Sequence, residues 1–76
     1  MASKALLQTI SNFVTEVRDA NSEEEIGRCV QQTLSALKSK GVEEESAANM
    51  LCDAILTLKD RDQNLFHAFI LLRKSK

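Results

Sequence analysis

The chain is expected to fold as an all-α protein: a small antiparallel bundle of four helices at about residues 3–19, 22–39, 43–59 and 62–74. Three observations point there. Apolar residues recur at three- and four-residue spacing along most of the chain. Acidic residues open the segments and basic residues close them, the arrangement a helix dipole favours. The 76 residues include no proline and two glycines, too few breakers for an all-β fold with its frequent turns.

The first helix carries a stripe of Leu6, Ile10, Phe13, Val14 and Val17, with Ser3 as its expected N-cap. The stretch DANS then breaks the pattern. The second helix opens at Ser22, which has capping-box spacing with Glu25. Glu23, Glu24 and Glu25 stand at its positive end, and Lys38 and Lys40 at its negative end. Its stripe is Ile26, Cys29, Val30, Thr33, Leu34 and Leu37. Gly41 is expected to stop it in the left-handed conformation, with Val42 making the apolar contact that follows such a stop.

The third helix repeats the scheme. Glu43, Glu44 and Glu45 open it, Lys59 closes it, and its stripe is Ala47, Met50, Leu51, Ala54, Ile55 and Leu58. Its correspondence with the second helix needs no duplication, because two amphipathic helices of similar length share a stripe by geometry alone. The fourth helix begins near Asp60 or Asp62, and Asp60 and Gln63 again have capping-box spacing. It ends on Arg73, Lys74 and Lys76. Links this short make successive helices run antiparallel.

Length and composition bound the function. Residues 1–76 make one domain, and a chain of this size buries only about 60% of the surface its unfolded form exposes. At 43% hydrophobic and 28% charged, it is an ordinary globular composition rather than a disordered one. A net charge of −1 gives no electrostatic reason for a nucleic-acid partner. The sequence lacks a signal-type apolar segment and any apolar run near the roughly 20 residues that span a bilayer. Two cysteines do not make a secreted disulfide framework, so the expected compartment is the cytoplasm.

Chemical motifs fail on inspection. DRDQN places Asp60, Asp62 and Asn64 at alternate positions like the start of a calcium loop. Leu65 and Leu71 then stand where that loop needs its glycine and its bidentate glutamate. A helix-capping turn is the expected reading. Cys29, Cys52 and His67 lie on three helices without the paired spacing of a zinc site, so no metal or cofactor is expected. Cys29 reads as a small buried hydrophobe, and a Cys29–Cys52 disulfide is conceivable under oxidation. A single histidine, His67, has no nucleophile or base placed beside it by a local signature. It reads as part of a solvated flank, and the expectation is no catalytic residues and no enzyme.

What remains is surplus hydrophobicity. The apolar arcs of the third and fourth helices reach roughly 200°, wider than a two-neighbour packing face needs. The surplus falls on Ala48, Cys52 and Leu56, and on Phe66, Ile70 and Leu71. Leu65, Phe69 and Leu72 are expected to fill the core. The six surplus residues are the candidate partner-binding set, since a contiguous exposed apolar patch marks an interaction site. The expected partner is another protein or a second copy in a homodimer, as for a small adaptor, regulator, secretion chaperone or inhibitor. Nucleic-acid binding through Arg73, Lys74 and Lys76 and peripheral membrane attachment through the fourth helix are the alternatives. On the first helix, Gln8, Ser11, Asn12 and Thr15 form an uncharged outer face, a weaker sign of the same kind.

Overall fold

A computed structural model describes residues 4–58 and 62–74. It contains four helices: α1 (Lys4–Asp19), α2 (Glu23–Ser39), α3 (Glu44–Leu58) and α4 (Gln63–Lys74). They pack as the expected antiparallel bundle. The expected roles of Ser3, Lys59, Asp60 and Lys76 lie outside the described residues.

Local chemistry sets each end. Ser22 has extended backbone angles (φ −155°, ψ 162°), and the Glu25 amide donates to its hydroxyl at 3.2 Å. The Glu25 carboxylate accepts from the Asn21 amide at 2.6 Å, one residue earlier than the reciprocal capping box requires. At the other end of α2, Gly41 takes φ +89°. The Val42 amide donates to the Leu37 carbonyl at 3.1 Å and the Gly41 amide to the Lys38 carbonyl at 3.0 Å. That pair of bonds is a complete Schellman stop, and Val42 packs against the core as expected. The amides of Asn64 and Leu65 donate to one carboxylate oxygen of Asp62, at 2.8 and 3.2 Å. Asp62 thus caps α4.

The end of α1 is solved from a distance. The chain turns within residues 20–22, without a glycine, and the last carbonyls of a helix have no intrahelical donor. The Ala20 amide reaches back to the Val17 carbonyl at 3.2 Å, and the Asn64 side-chain amide supplies a further donor. It donates to the carbonyls of Ala20 at 3.0 Å and Val17 at 3.1 Å, with a longer 3.4 Å approach to Arg18. Carbonyl oxygens only accept, so the side-chain atom facing them must be the nitrogen. One side chain near the start of α4 therefore ties that helix to the far end of α1.

The core draws on all four helices. Phe13 and Val17 come from α1, and Ile26, Val30, Leu34 and Leu37 from α2. Ala47, Ala48, Leu51, Cys52 and Ile55 come from α3, and Leu65, Ala68 and Leu72 from α4. Burying each of the leucines contributes about 1.5–3 kcal/mol. Among the described residues no buried side-chain polar atom lacks a hydrogen-bond partner, so the core carries no desolvation penalty of that kind. The helices are not equidistant. α1 packs mainly on α2 and α3 mainly on α4, while α2 also lies close against α4 and α1 barely meets α3.

Two sets of variants test these ends. A Cβ at Gly41 meets no neighbour within 4 Å, but its backbone is left-handed, so Gly41→Ala should cost about 1 kcal/mol. Gly27 also has open space around it and sits inside α2, so Gly27→Ala should stabilise by up to about 1 kcal/mol. Thermal melts should move in opposite directions, by about 4–8 °C per kcal/mol; a shared direction refutes the account. Asn64→Ala removes the side-chain donor from the Ala20 and Val17 carbonyls, of which Val17 keeps the Ala20 amide, and should cost about 1–3 kcal/mol. Asn64→Asp should cost at least as much, because a carboxylate cannot donate and opposes the α1 dipole. Urea midpoints measure both, and an unchanged midpoint for Asn64→Asp rules out the clasp.

Candidate functional site

The six residues assigned to partner binding separate in the fold. Ala48 and Cys52 are buried in the core, which corrects their assignment to an outward ridge. The reason is that α3 packs against α4, α2 and α1, so Ala48 and Cys52 turn inward although Leu56, further along the same ridge, does not. Leu71 is half-buried and packed on the core cluster, not on an open flank. Ile70 is half-buried. Leu56 and Phe66 do project outward, 60% and 64% exposed. Of the three α4 residues expected to fill the core, Leu65 and Leu72 do so and Phe69 is half-buried. The Arg73 guanidinium lies 5.8 Å from the Phe69 ring centroid, a cation–π contact.

The loosest helix pair leaves an opening that the periodicity did not single out. Between α1 and α3, the apolar residues Leu7, Ile10, Val14, Ala54 and Leu58 line a shallow groove, with Ser11 and Thr15 on its α1 wall and Arg18 at its edge. Ile10 and Val14 form its floor, half-buried against the core. Leu7 and Leu58 stand exposed at 59% and 43%. Leu7 is not part of the expected α1 stripe, yet it precedes Ile10 by three residues and Val14 by seven and so borders that stripe; that spacing was the available signal.

The outer face of α1 continues the groove. Gln8, Ser11, Asn12 and Thr15 are exposed, as expected. The Gln8 amide donates to the Asn12 side-chain oxygen at 2.9 Å, and the Thr15 hydroxyl donates to the Ser11 carbonyl at 3.2 Å. Residues 5–15 carry no charge. Lys4 and Glu16, both exposed, bracket that stretch on the same ridge as Gln8 and Asn12, because residues four apart lie one above another on a helix.

Two hollows elsewhere collect polar groups. His67 is half-buried rather than on a solvated flank. It lines a depression with Ala20, Asn21, Ser22, Glu23, Ile26, Gln63 and Asn64, because the Asn64 clasp draws the start of α4 onto the α1–α2 turn. On the other side of that turn, Glu16, Asp19, Glu25, Arg28, Cys29 and Gln32 share a hollow. Cys29 and Cys52 are both thiols. Cys29 is half-buried at the core's edge, with its sulfur 4.0 Å from a Glu16 carboxylate oxygen. Among the described residues no group of three or more His, Cys, Asp or Glu side chains is placed to hold a metal ion. Among them, too, no helix is long and apolar enough to cross a membrane.

The Cys29 environment sets its reactivity. Burial pushes the thiol's pKa up, the carboxylates of Glu16 and Glu25 push it further, and Arg28 partly opposes them. The folded chain therefore holds this proton more tightly than the unfolded chain. The associated stability is full below the unfolded thiol's pKa and is lost as pH rises through the folded one. Alkylation of Cys29 by iodoacetamide, followed by mass spectrometry of its peptide, should have its pH midpoint higher in the folded protein than in urea. Glu16→Gln should move that midpoint down, and a folded midpoint at or below the urea value contradicts the assignment.

No protein-family model, curated protein or solved structure shows a significant match to this chain.

Proposed function

We propose that this chain is a non-enzymatic protein-interaction module whose docking surface is the α1–α3 groove and the neutral outer face of α1. The observation that carries this is the exposure of Leu7 and Leu58, at 59% and 43%, on either side of a shallow apolar floor. Leaving two large apolar side chains about half in water forgoes about half of the 1.5–3 kcal/mol that full burial of each contributes. Contiguous exposed apolar surface rimmed by polar groups is the usual form of a docking site. The adjoining α1 face lacks charge, as the centres of interfaces do. The role that fits is that of a small adaptor, regulator, chaperone or inhibitor, working in the cytoplasm where Cys29 and Cys52 stay reduced.

This displaces the site from the α3 and α4 ridges toward α1, because Ala48 and Cys52 are spent on the core. Leu56 and Phe66 also remain exposed, at 60% and 64%, but neither lines the α1–α3 groove.

Leu7→Glu and Leu58→Glu test the proposal. Both positions are solvent-exposed, so each should change stability by no more than about 0.5 kcal/mol. Each should abolish association, read as oligomeric state by light scattering and as recovery of bound protein on immobilised bait. Gln63→Glu, exposed at the start of α4, serves as the control and should leave association intact. Association that survives both leucine variants refutes the groove as the docking surface.

A further inference from the structure

Resting on that docking surface, we infer that its occupant is a second copy of this chain, with α1 packed antiparallel against the partner's α1 about a two-fold axis.

The charge pattern of one ridge carries the inference. Lys4, Gln8, Asn12 and Glu16 are spaced by four, so they form a single row along α1, and all four are exposed. The row reads cation, amide, amide, anion. A two-fold axis reverses the direction of the row in the second copy. With the axis midway between Gln8 and Asn12, Lys4 of each copy faces Glu16 of the other, and Gln8 of each faces the other's Asn12. Both ends of the contact then pair opposite charges. Both central positions pair side-chain amides, which donate and accept equally well.

The absence of charge in the middle has a matching reason. Near a two-fold axis a patch meets itself, since such an interface is isologous. A charged residue there would meet its own like, and like-charge juxtaposition is costly. Residues 5–15 carry none.

The neighbouring row completes the fit. Leu7, Ser11 and Thr15 lie side by side on the groove wall. A two-fold axis in the interface plane keeps this row on the same side in both copies. In the register set by the charges, residue 7 of one copy falls level with residue 13 of the other. Each Leu7 therefore stands over the gap between the partner's Ser11 and Thr15, whose short side chains leave room for it. The more exposed of the groove's two leucines thus meets two of its short side chains.

Sedimentation equilibrium from micromolar to millimolar concentration tests this on the full chain, with circular dichroism to verify folding. The wild-type chain should dimerise, and Leu7→Glu should raise the dissociation constant by at least about tenfold with helix content unchanged. Lys4→Glu should weaken the dimer several-fold by placing like charges opposite each other. Adding Glu16→Lys in the same chain should restore wild-type association, because the reversed pairs are again opposite. A wild-type chain that stays monomeric at millimolar concentration overturns the inference. So does a dimer indifferent to Leu7→Glu, or a Lys4→Glu defect that Glu16→Lys fails to rescue. If the monomeric chain nevertheless captures a different protein through Leu7, self-association fails and the docking surface stands. If it captures none, both fail.

Discussion

The carbonyl end of α1 is the constraint on which the arrangement of the bundle turns. The chain must leave α1 and enter α2 within three residues, and none of those residues is a glycine that could close the helix locally. Beside the Ala20 amide's bond to the Val17 carbonyl, the donor comes from Asn64, 44 residues beyond Ala20. Two neighbouring side chains then divide the work at the start of α4. Asp62 accepts from the amides of its own helix, and Asn64 donates to the carbonyls of another. With the start of α4 pinned on the α1–α2 turn, the inward face of that helix follows. Leu65, Ala68 and Leu72, spaced three and four residues apart just beyond the clasp, are the α4 side chains that reach full burial.

The second determinant is the size of the side chains between helices. Ala68, on α4, is fully buried, and small residues at a contact let helix axes approach closely. α2 and α4, which would sit on a diagonal of a square bundle, come into direct contact. A four-membered arrangement with one short diagonal has one long diagonal, and here it runs between α1 and α3. The groove flanked by Leu7 and Leu58 is its surface expression. The candidate site thus follows from the unequal spacing of the four helices.

Much of the fold was legible in the residues. The stripes of α1 and α2, the Ser22 cap and the Gly41 stop with its Val42 contact depend on neighbours within a turn or two, and local pattern reports such neighbours directly. The clasp was not legible. DRDQN showed a capping turn, but nothing near Asn64 says that its amide serves carbonyls of a helix more than forty residues earlier. The site was legible only in part. Periodicity measured the apolar arcs of α3 and α4 as too wide for a simple bundle. It could not tell that α3 meets three neighbours, which turns Ala48 and Cys52 inward. On α1 the neutral face of Gln8, Ser11, Asn12 and Thr15 was visible. Its connection to a groove was not, because that groove depends on the distance between two helices not adjacent in sequence.

The clasp also changes the connectivity of the molecule. Four helices joined by three links form an open string with two ends. A bond from the beginning of the last helix to the end of the first closes that string into a ring, with the Asn64 amide as its fourth link. Closing a ring over more than forty residues carries an entropic penalty that grows only with the logarithm of its length. The hairpins α1–α2 and α3–α4 shorten the effective ring further, since each brings distant residues together first. A single amide is therefore enough to join the two hairpins, at carbonyls where the backbone itself offers only the Ala20 amide's bond to Val17.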